Sequence, residues 1–258
     1  MRIVAFSKKV TERFIDTTRQ SLALTLEAGA SVLTYELYPL GVLPGSVRTI
    51  PCLWATKQAA MTPVLFVHGV FHNPATFTCI KQRLTWAGWK RFHEINLLHS
   101  IKSIPNNAGR ISREVDRLRR KYRVPHVDII AHSMGGILAR YYIQRLGGDG
   151  KVRHLVTLGT PHHGTKLSKY SIFPYLRELA PKSRTMRILH ETPLPTKTQM
   201  TAISGELDVF TRQQEAGTLA GVRQFELSSV GHAGILFSRR ATQIILATLS
   251  GESIDQVF

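Results

Sequence analysis

The fold is decided by residues 127–136, which read VDIIAHSMGG. The pattern predicts a buried strand at residues 127–131 and a helix at residues 134–146. Ser133 lies between them in a sharp strand-to-helix turn, where small neighbours let strand and helix approach and the hydroxyl stands clear of the sheet. The common form of this turn is Gly-x-Ser-x-Gly, from which Ala131 departs by one methyl group. The stretch predicts a nucleophile elbow.

Strands and helices alternate on both sides of the elbow. Short apolar runs predict strands, and apolar residues at offsets of three and four predict helices. The other predicted strands are residues 63–67, 92–98, 152–158, 200–204 and 222–227, and the other predicted helices are residues 73–86, 111–122 and 235–249. Alternation of this kind is typical of an α/β domain with a mostly parallel central sheet and helices on both faces. We place this domain at residues 48–258.

A serine nucleophile needs a base that accepts its proton, and histidine is the usual base. Of the histidines that follow Ser133, only His232 comes after the last predicted strand. Gly231 and Gly234 flank it and would allow a loop to carry the imidazole back over the sheet edge. His232 is therefore the predicted base.

The base in turn needs a carboxylate that orients it. Catalytic groups of an open parallel sheet gather at the carboxyl ends of its strands. Asp208 follows the predicted strand at 200–204 and meets this condition, with Glu206 as the alternative. Asp149 precedes its strand and belongs to the opposite edge.

The oxyanion that forms when a serine attacks a carbonyl must be met by fixed donors. The usual donors are the backbone amide after the nucleophile and one from the loop after the first strand. Here these would be Met134 and Val70. Chemistry of this kind requires no cofactor, and the pair His162-His163 has no partner ligands at a recognisable metal-binding spacing.

Four segments together resemble a known family. They are PVLFVHGV at 63–70, AHSMGG at 131–136, TLGTPHHGT at 157–165 and SVGHAGILFS at 229–238. Over residues 62–249 the chain resembles the bacterial triacylglycerol lipase and esterase group of the α/β-hydrolases. The resemblance implies the α/β-hydrolase fold and hydrolysis of acyl or lipid esters through an acyl-enzyme. It assigns the triad to Ser133, Asp208 and His232, and the oxyanion hole to Val70 and Met134.

Two other functions stay open at this stage. The same triad would serve a thioesterase, an amidase or an acyltransferase, because fold does not determine function. A non-catalytic basic binding protein on a hydrolase scaffold is the other hypothesis, and the complete triad argues against it.

Residues 165–199 follow the Gly159-Thr160-Pro161 turn and form a lid-like insertion. Before His190 the insertion has one acid, Glu178, and six bases: Lys166, Lys169, Arg177, Lys182, Arg184 and Arg187. The spacing of Ile172, Tyr175, Leu176 and Leu179 predicts a helix with one apolar stripe. Such a helix is either a lid or membrane-facing flap, or a core-docked helix with a solvated basic face.

Positive charge is the most unusual property of the composition. The 34 Lys and Arg residues outnumber the 17 Asp and Glu residues, which gives a net charge of +17. Charge of this size predicts an anionic partner. The sequence has no specific module that recognises nucleic acid, and an anionic membrane surface is a candidate partner besides the acyl-ester substrate. The sequence does not determine the oligomeric state.

The first 47 residues predict a separate basic and apolar helical segment that could dock on a membrane. Residues 20–47 contain no Lys or Arg, but two glutamates, Gly29 and Pro39 argue against a spanning helix. Charges spread through residues 1–20 also argue against a cleavable signal peptide. We expect an intracellular protein, cytoplasmic or peripheral at the cytoplasmic membrane. Cys52 and Cys79 are too few for a disulfide framework.

Overall fold

The computed structural model of the protein describes residue 25 and residues 62–97, 103–211 and 219–252. The predicted domain start at residue 48 lies outside these ranges, as do Cys52 and all of the predicted segment at residues 1–47 except residue 25. Cys79 is half-buried, and burial raises the pKa of its thiol.

One parallel sheet forms the centre of the described part of the chain. Its strands are β1 (Val64–Val67), β2 (Phe92–Ile95), β3 (Val127–His132), β4 (Val152–Leu158), β5 (Gln199–Gly205) and β6 (Arg223–Leu227). They lie in the order β2-β1-β3-β4-β5-β6, and every neighbouring pair is parallel. The segments that follow β1, β3, β4, β5 and β6 therefore all leave the sheet at the same edge.

Helices connect the strands. They are α1 (Thr78–Trp86), α2 (Ile104–Tyr122), α3 (Met134–Arg145), α4 (Pro174–Arg177), α5 (Arg184–Glu191) and α6 (Arg239–Ser250). The 3-10 turn Pro74–Phe77 precedes α1, and the Asn73 side chain caps it by accepting a hydrogen bond from the Ala75 amide. These elements confirm the α/β class with a parallel sheet.

The central strands β1, β3 and β4 are almost entirely buried on both faces of the sheet, which explains why most of their residues are apolar. Leu65 and Val67 point into a core shared with α2 and α3. Val64 and Phe66, on the same strand, point into a second core shared with α1 and α6. The alternation follows from the two-residue period of a strand.

The single amphipathic helix predicted for the insertion is wrong. The insertion contains a 3-10 turn at Lys166–Tyr170, the one-turn helix α4 and the separate helix α5. Pro174 begins α4 after the extended residue Phe173, and Leu179 lies beyond the end of α4, buried in the core. Ile172, the first member of the predicted stripe, is 79% exposed. The C-terminal helix also begins later than predicted, at Arg239, because residues 234–236 form a 3-10 turn.

Candidate functional site

Ser133 occupies the sharp turn between β3 and α3. Its backbone has φ 54° and ψ −128°, a sparsely populated positive-φ conformation that costs a non-glycine residue on the order of 1–3 kcal/mol. Glycines make room around it. A Cβ on Gly135 would lie 2.3 Å from the Val67 carbonyl oxygen, and one on Gly69 would lie 2.7 Å from the Ser133 Cβ. The elbow is therefore packed against the end of β1.

Ser133, His232 and Asp208 form one chain of hydrogen bonds. The His232 Nε2 lies 3.0 Å from the Ser133 Oγ, and the His232 Nδ1 lies 2.8 Å from the Asp208 Oδ2. Both distances are ordinary hydrogen-bond lengths. The three residues come from the loops after β3, β5 and β6, so the structure brings together side chains that lie far apart in sequence.

The two carboxylates that the sequence left as alternatives have different partners. Asp208 is fully buried, and its second oxygen, Oδ1, accepts a hydrogen bond of 2.9 Å from the Phe210 amide. The Glu206 carboxylate instead accepts a hydrogen bond of 2.7 Å from the amide of Ser229, three residues before His232. Glu206 therefore binds the start of the loop that carries His232 and does not contact the imidazole. Asp208 is the carboxylate that is hydrogen-bonded to His232.

Asp149, which the topology argument excluded, is at the amino end of β4. Its carboxylate accepts hydrogen bonds from the amides of Thr196, Lys197 and Thr198, just before β5. These bonds hold the pKa of Asp149 below its usual value against the opposing effect of burial. Asp149 thus has a structural role at the edge opposite Ser133.

Gly159 closes the other side of the Asp208–His232 contact. It follows β4 with φ 54°, and a Cβ there would lie 2.9 Å from the Asp208 Oδ2 and 3.1 Å from the His232 Nδ1. Both values are shorter than the roughly 3.5 Å at which a carbon makes a comfortable contact. Only glycine fits this position.

The two amides predicted for the oxyanion hole flank Ser133. Met134 is the first residue of α3, and Val70 follows Gly69, whose backbone packs against the serine. In the described ranges, neither amide donates a backbone–backbone hydrogen bond outside the regular helices and strands. Val70 and Ser133 line the same pocket. The arrangement suits two donors that act on a substrate oxygen.

Three histidines lie around the site: His68 and His132 are buried, and His72 is half-buried. His68 donates from Nδ1 to the Gly69 carbonyl oxygen at 2.8 Å and accepts at Nε2 from the Leu97 amide at 2.8 Å, which fixes a neutral tautomer. Burial lowers the pKa of His68 and of His72 to about 4. His132 is fully buried, burial lowers its pKa well below the usual range, and its Nε2 donates to the His232 carbonyl oxygen at 3.1 Å.

An apolar pocket of about 400 Å³ opens beside the serine hydroxyl. Three loops supply its walls: Val70, Phe71 and His72 after β1, Leu167, Leu176 and Leu179 in the insertion, and Leu207, Val209 and Phe210 after β5. A pocket of this size and polarity suits a small or extended apolar ligand. Ser133 and His232 both line it, and its other polar lining residues are His72, Thr165, Ser168 and Ser171.

Sequence patterns did not reveal three contributors to this site. Gly159 and His132 act through contacts with His232, which lies 73 and 100 residues further along the chain. Glu206 was noted only as an alternative acid, and its bond to Ser229 depends on two loops that meet at the sheet edge. The motif Gly-Thr-Pro at 159–161 was the one available signal for Gly159.

Within the described residues, no cluster of three or more His, Cys, Asp or Glu side chains could hold a metal ion. His162, the first residue of the histidine pair, is fully buried, and its Nε2 lies 2.9 Å from the Thr157 Oγ1. None of the helices described is both long enough and apolar enough to cross a bilayer.

Similar proteins were found at the level of family and fold. The mature lipase BlEst2 of Bacillus licheniformis has a TM-score of 0.64 at 17% identity, over 78% of this chain and 96% of that one. The carboxylesterase CesB of Bacillus subtilis has a TM-score of 0.52 at 13% identity, over 90% of this chain and 99% of that one. A bacterial membrane phospholipase A has a TM-score of 0.51 at 15% identity, over 97% and 99%.

These structural likenesses, at such low identity, show the fold. The model of a family described as having the alpha/beta hydrolase fold matches residues 62–212, which is more than half of the chain. That match includes the elbow, the loop after β1 and Asp208. The chain belongs to the alpha/beta hydrolase fold family.

Proposed function

We propose that the protein is a serine hydrolase that cleaves carboxylic esters with an apolar acyl group. One observation carries the proposal: the hydrogen-bonded chain from Asp208 through His232 to Ser133 ends at the base of an apolar pocket. A nucleophile, a base and an orienting acid in this order are what acyl transfer requires. The lipases and esterases among the similar folds are consistent with it.

The first half of the reaction makes an acyl-enzyme. Asp208 accepts a hydrogen bond from the protonated Nδ1 of His232. The unprotonated Nε2 is then free to take the Ser133 proton. The Oγ then bonds to the ester carbonyl carbon, and the resulting oxyanion accepts hydrogen bonds from the Val70 and Met134 amides. When the intermediate collapses, the carbon–oxygen bond to the alcohol breaks and the imidazolium gives its proton to the departing alkoxide.

The second half repeats these steps with water. His232 takes a proton from a water molecule, whose oxygen attacks the acyl carbon. The bond to the Ser133 Oγ breaks, the serine recovers its proton from His232, and the carboxylic acid leaves. The apolar side chains of the pocket would hold the acyl chain throughout, since burial of each methylene group contributes about 0.8 kcal/mol.

A fluorophosphonate probe and a panel of p-nitrophenyl esters test the proposal. Wild type should be labelled at Ser133, and Ser133→Ala should lose labelling and turnover together. Thioesters of the same acyl chains, assayed in parallel, should be cleaved more slowly than the oxygen esters. Labelling that survives Ser133→Ala would show that another residue is the nucleophile, and faster thioester cleavage would favour a thioesterase.

A further inference from the structure

Exposed apolar side chains are concentrated around the mouth of the pocket. Nine large apolar side chains are exposed in the described part of the chain, and seven of them belong to the three loops that wall the pocket. We define these seven as the apolar rim: Phe71; Leu167, Tyr170, Ile172 and Phe173; Val209 and Phe210. The remaining two, Trp86 and Leu146, lie at the ends of α1 and α3.

One ring contact and the pocket itself join the three loops of the rim. The rings of Phe71 and Phe173 are 5.8 Å apart and join the loop after β1 to the insertion. Phe71, Leu167, Val209 and Phe210 also line the pocket, so the surface and the pocket open together. Tyr170 and Ile172 project furthest into solvent, at 86% and 79% exposure. An exposed apolar patch with a pocket at its centre marks an interaction surface.

Positive charge is interleaved with the rim. Lys166, Lys169 and Arg177 are exposed and lie just before, between and just after the rim residues of the insertion. The Arg177 Nε donates a hydrogen bond of 2.8 Å to the Ser171 carbonyl oxygen, which holds the guanidinium beside the rim. The one acid of this stretch, Glu178, is half-buried and accepts hydrogen bonds from the Ile104 amide and the Thr185 hydroxyl. The described stretch from Lys166 to Glu178 therefore contains no exposed carboxylate.

We infer that the apolar rim docks on the surface of an anionic lipid bilayer, with its apolar side chains in the acyl region and its cations on the lipid headgroups. Apolar side chains beside Lys and Arg are the combination that binds such an interface. Because the pocket opens within the rim, an acyl chain could pass from the bilayer to Ser133 without crossing water. This role of the rim rests on the proposed function, because docking would serve to deliver substrate to Ser133. The substrate class would then be the lipids of the bilayer.

Vesicle co-sedimentation tests the docking surface separately from the chemistry. The binding measurements use Ser133→Ala protein, so that no lipid is consumed, and vesicles of phosphatidylcholine with or without phosphatidylserine. The rim variant Tyr170→Ser/Ile172→Ser should bind anionic vesicles at least about ten-fold more weakly, given the free energy of burying two large apolar side chains. Its matched control, Trp86→Ser/Leu146→Ser, removes the two exposed apolar side chains outside the rim and should bind normally.

A second pair of variants tests the charges. Lys166→Gln/Lys169→Gln should weaken binding at low salt by about 30-fold, because each cation near an anionic leaflet contributes roughly five-fold. Its control is Arg120→Gln/Lys121→Gln, at the end of α2. The 19 residues of α2 run back across the sheet for about 28 Å, so this control lies at the opposite edge. High salt should release the wild-type protein from anionic vesicles. It should also abolish the difference in vesicle binding between the lysine variant and wild type.

The outcomes separate the two proposals. Docking is supported if the rim variant loses vesicle binding. The same two substitutions, made in protein that keeps Ser133, should leave turnover of a short soluble ester unchanged. Binding by neutral and anionic vesicles alike, or equal losses in rim and control variants, overturns it. A rim variant that becomes monomeric where wild type is a dimer in size-exclusion chromatography also overturns it in favour of a second copy. Absence of fluorophosphonate labelling would refute the proposed serine hydrolase function, and the vesicle-binding result would remain valid.

Discussion

Replacing Gly159 by alanine tests whether the Asp208–His232 contact controls turnover. The added Cβ would lie 2.9 Å from the Asp208 Oδ2 and 3.1 Å from the His232 Nδ1, the two atoms joined by the 2.8 Å hydrogen bond. Each atom must move by about half an ångström to reach an ordinary contact of roughly 3.5 Å. A displacement of about 1 Å in a catalytic group can cost 100-fold. We therefore expect kcat to fall by between about 10-fold and 100-fold.

Gly147→Ala is the matched control for this change. Gly147 has φ 71°, close to the 54° of Gly159, but no atom lies within 4 Å of a Cβ built there. Both variants place alanine in the left-handed region and should lose about 1–2 kcal/mol of the free energy of unfolding. Only Gly159→Ala disturbs the hydrogen bond.

The assay measures kcat and KM on a short soluble ester and the thermal unfolding midpoint of both variants. Gly147→Ala should keep kcat within about two-fold of wild type, since backbone strain alone does not reach the site. Gly159→Ala should lower kcat with little change in KM, because the pocket is untouched. The reasoning is refuted if Gly159→Ala turns over like wild type, or if both variants lose kcat equally.

Two further results are expected. Asp208→Asn should lower kcat by about 1,000-fold or more, while Glu206→Gln should lose less than about ten-fold, because only Asp208 orients the imidazole; equal losses in the two variants would contradict this assignment. Stability should decline as pH falls from 6.5 toward 4, because an unfolded histidine binds a proton near pH 6.5 while folded His68 has a pKa of about 4, a difference of about 3 kcal/mol. Urea unfolding at neutral pH and at about pH 4.5 measures this loss of stability. The His68→Asn variant should lose less stability over this range than wild type, and an equal loss would exclude His68 as the cause.

The fold could be predicted because its local signals and its long-range packing agree. The central strands β1, β3 and β4 are mostly apolar and are buried on both faces of the sheet. They begin and end within a residue or so of the predicted limits. The helix predicted in the insertion shows where such signals fail. Its apolar residues have a helical period, but Pro174 starts a new turn, and Leu179 reaches the core only because the chain turns before it. Tertiary contact determined the local structure here, as it often does for weak helical patterns.

The geometry of the site was predictable only in part. Chain order and strand edges gave Ser133, His232 and Asp208, because topology alone places the loops that follow β3, β5 and β6 at one edge. The choice of Asp208 over Glu206 depends on which carboxylate faces the imidazole, and this varies from one loop residue to the next. Gly159 and His132 contact His232 from separate parts of the chain, and no periodic pattern in the sequence predicts such contacts.

His132 shows why a neighbouring imidazole must carry no positive charge beside the proposed base, His232. Its ring centroid lies 4.7 Å from that of His232, and its Nε2 donates to the His232 carbonyl oxygen. In the proposed mechanism His232 becomes a cation when it takes the serine proton, and a second cation at this distance would oppose it by about 3.5 kcal/mol at an effective dielectric constant near 20. Burial removes this conflict by holding the pKa of His132 far below the usual range. The same neutral ring can then fix the loop of His232 by hydrogen bonding and still leave the proton transfer from Ser133 unopposed.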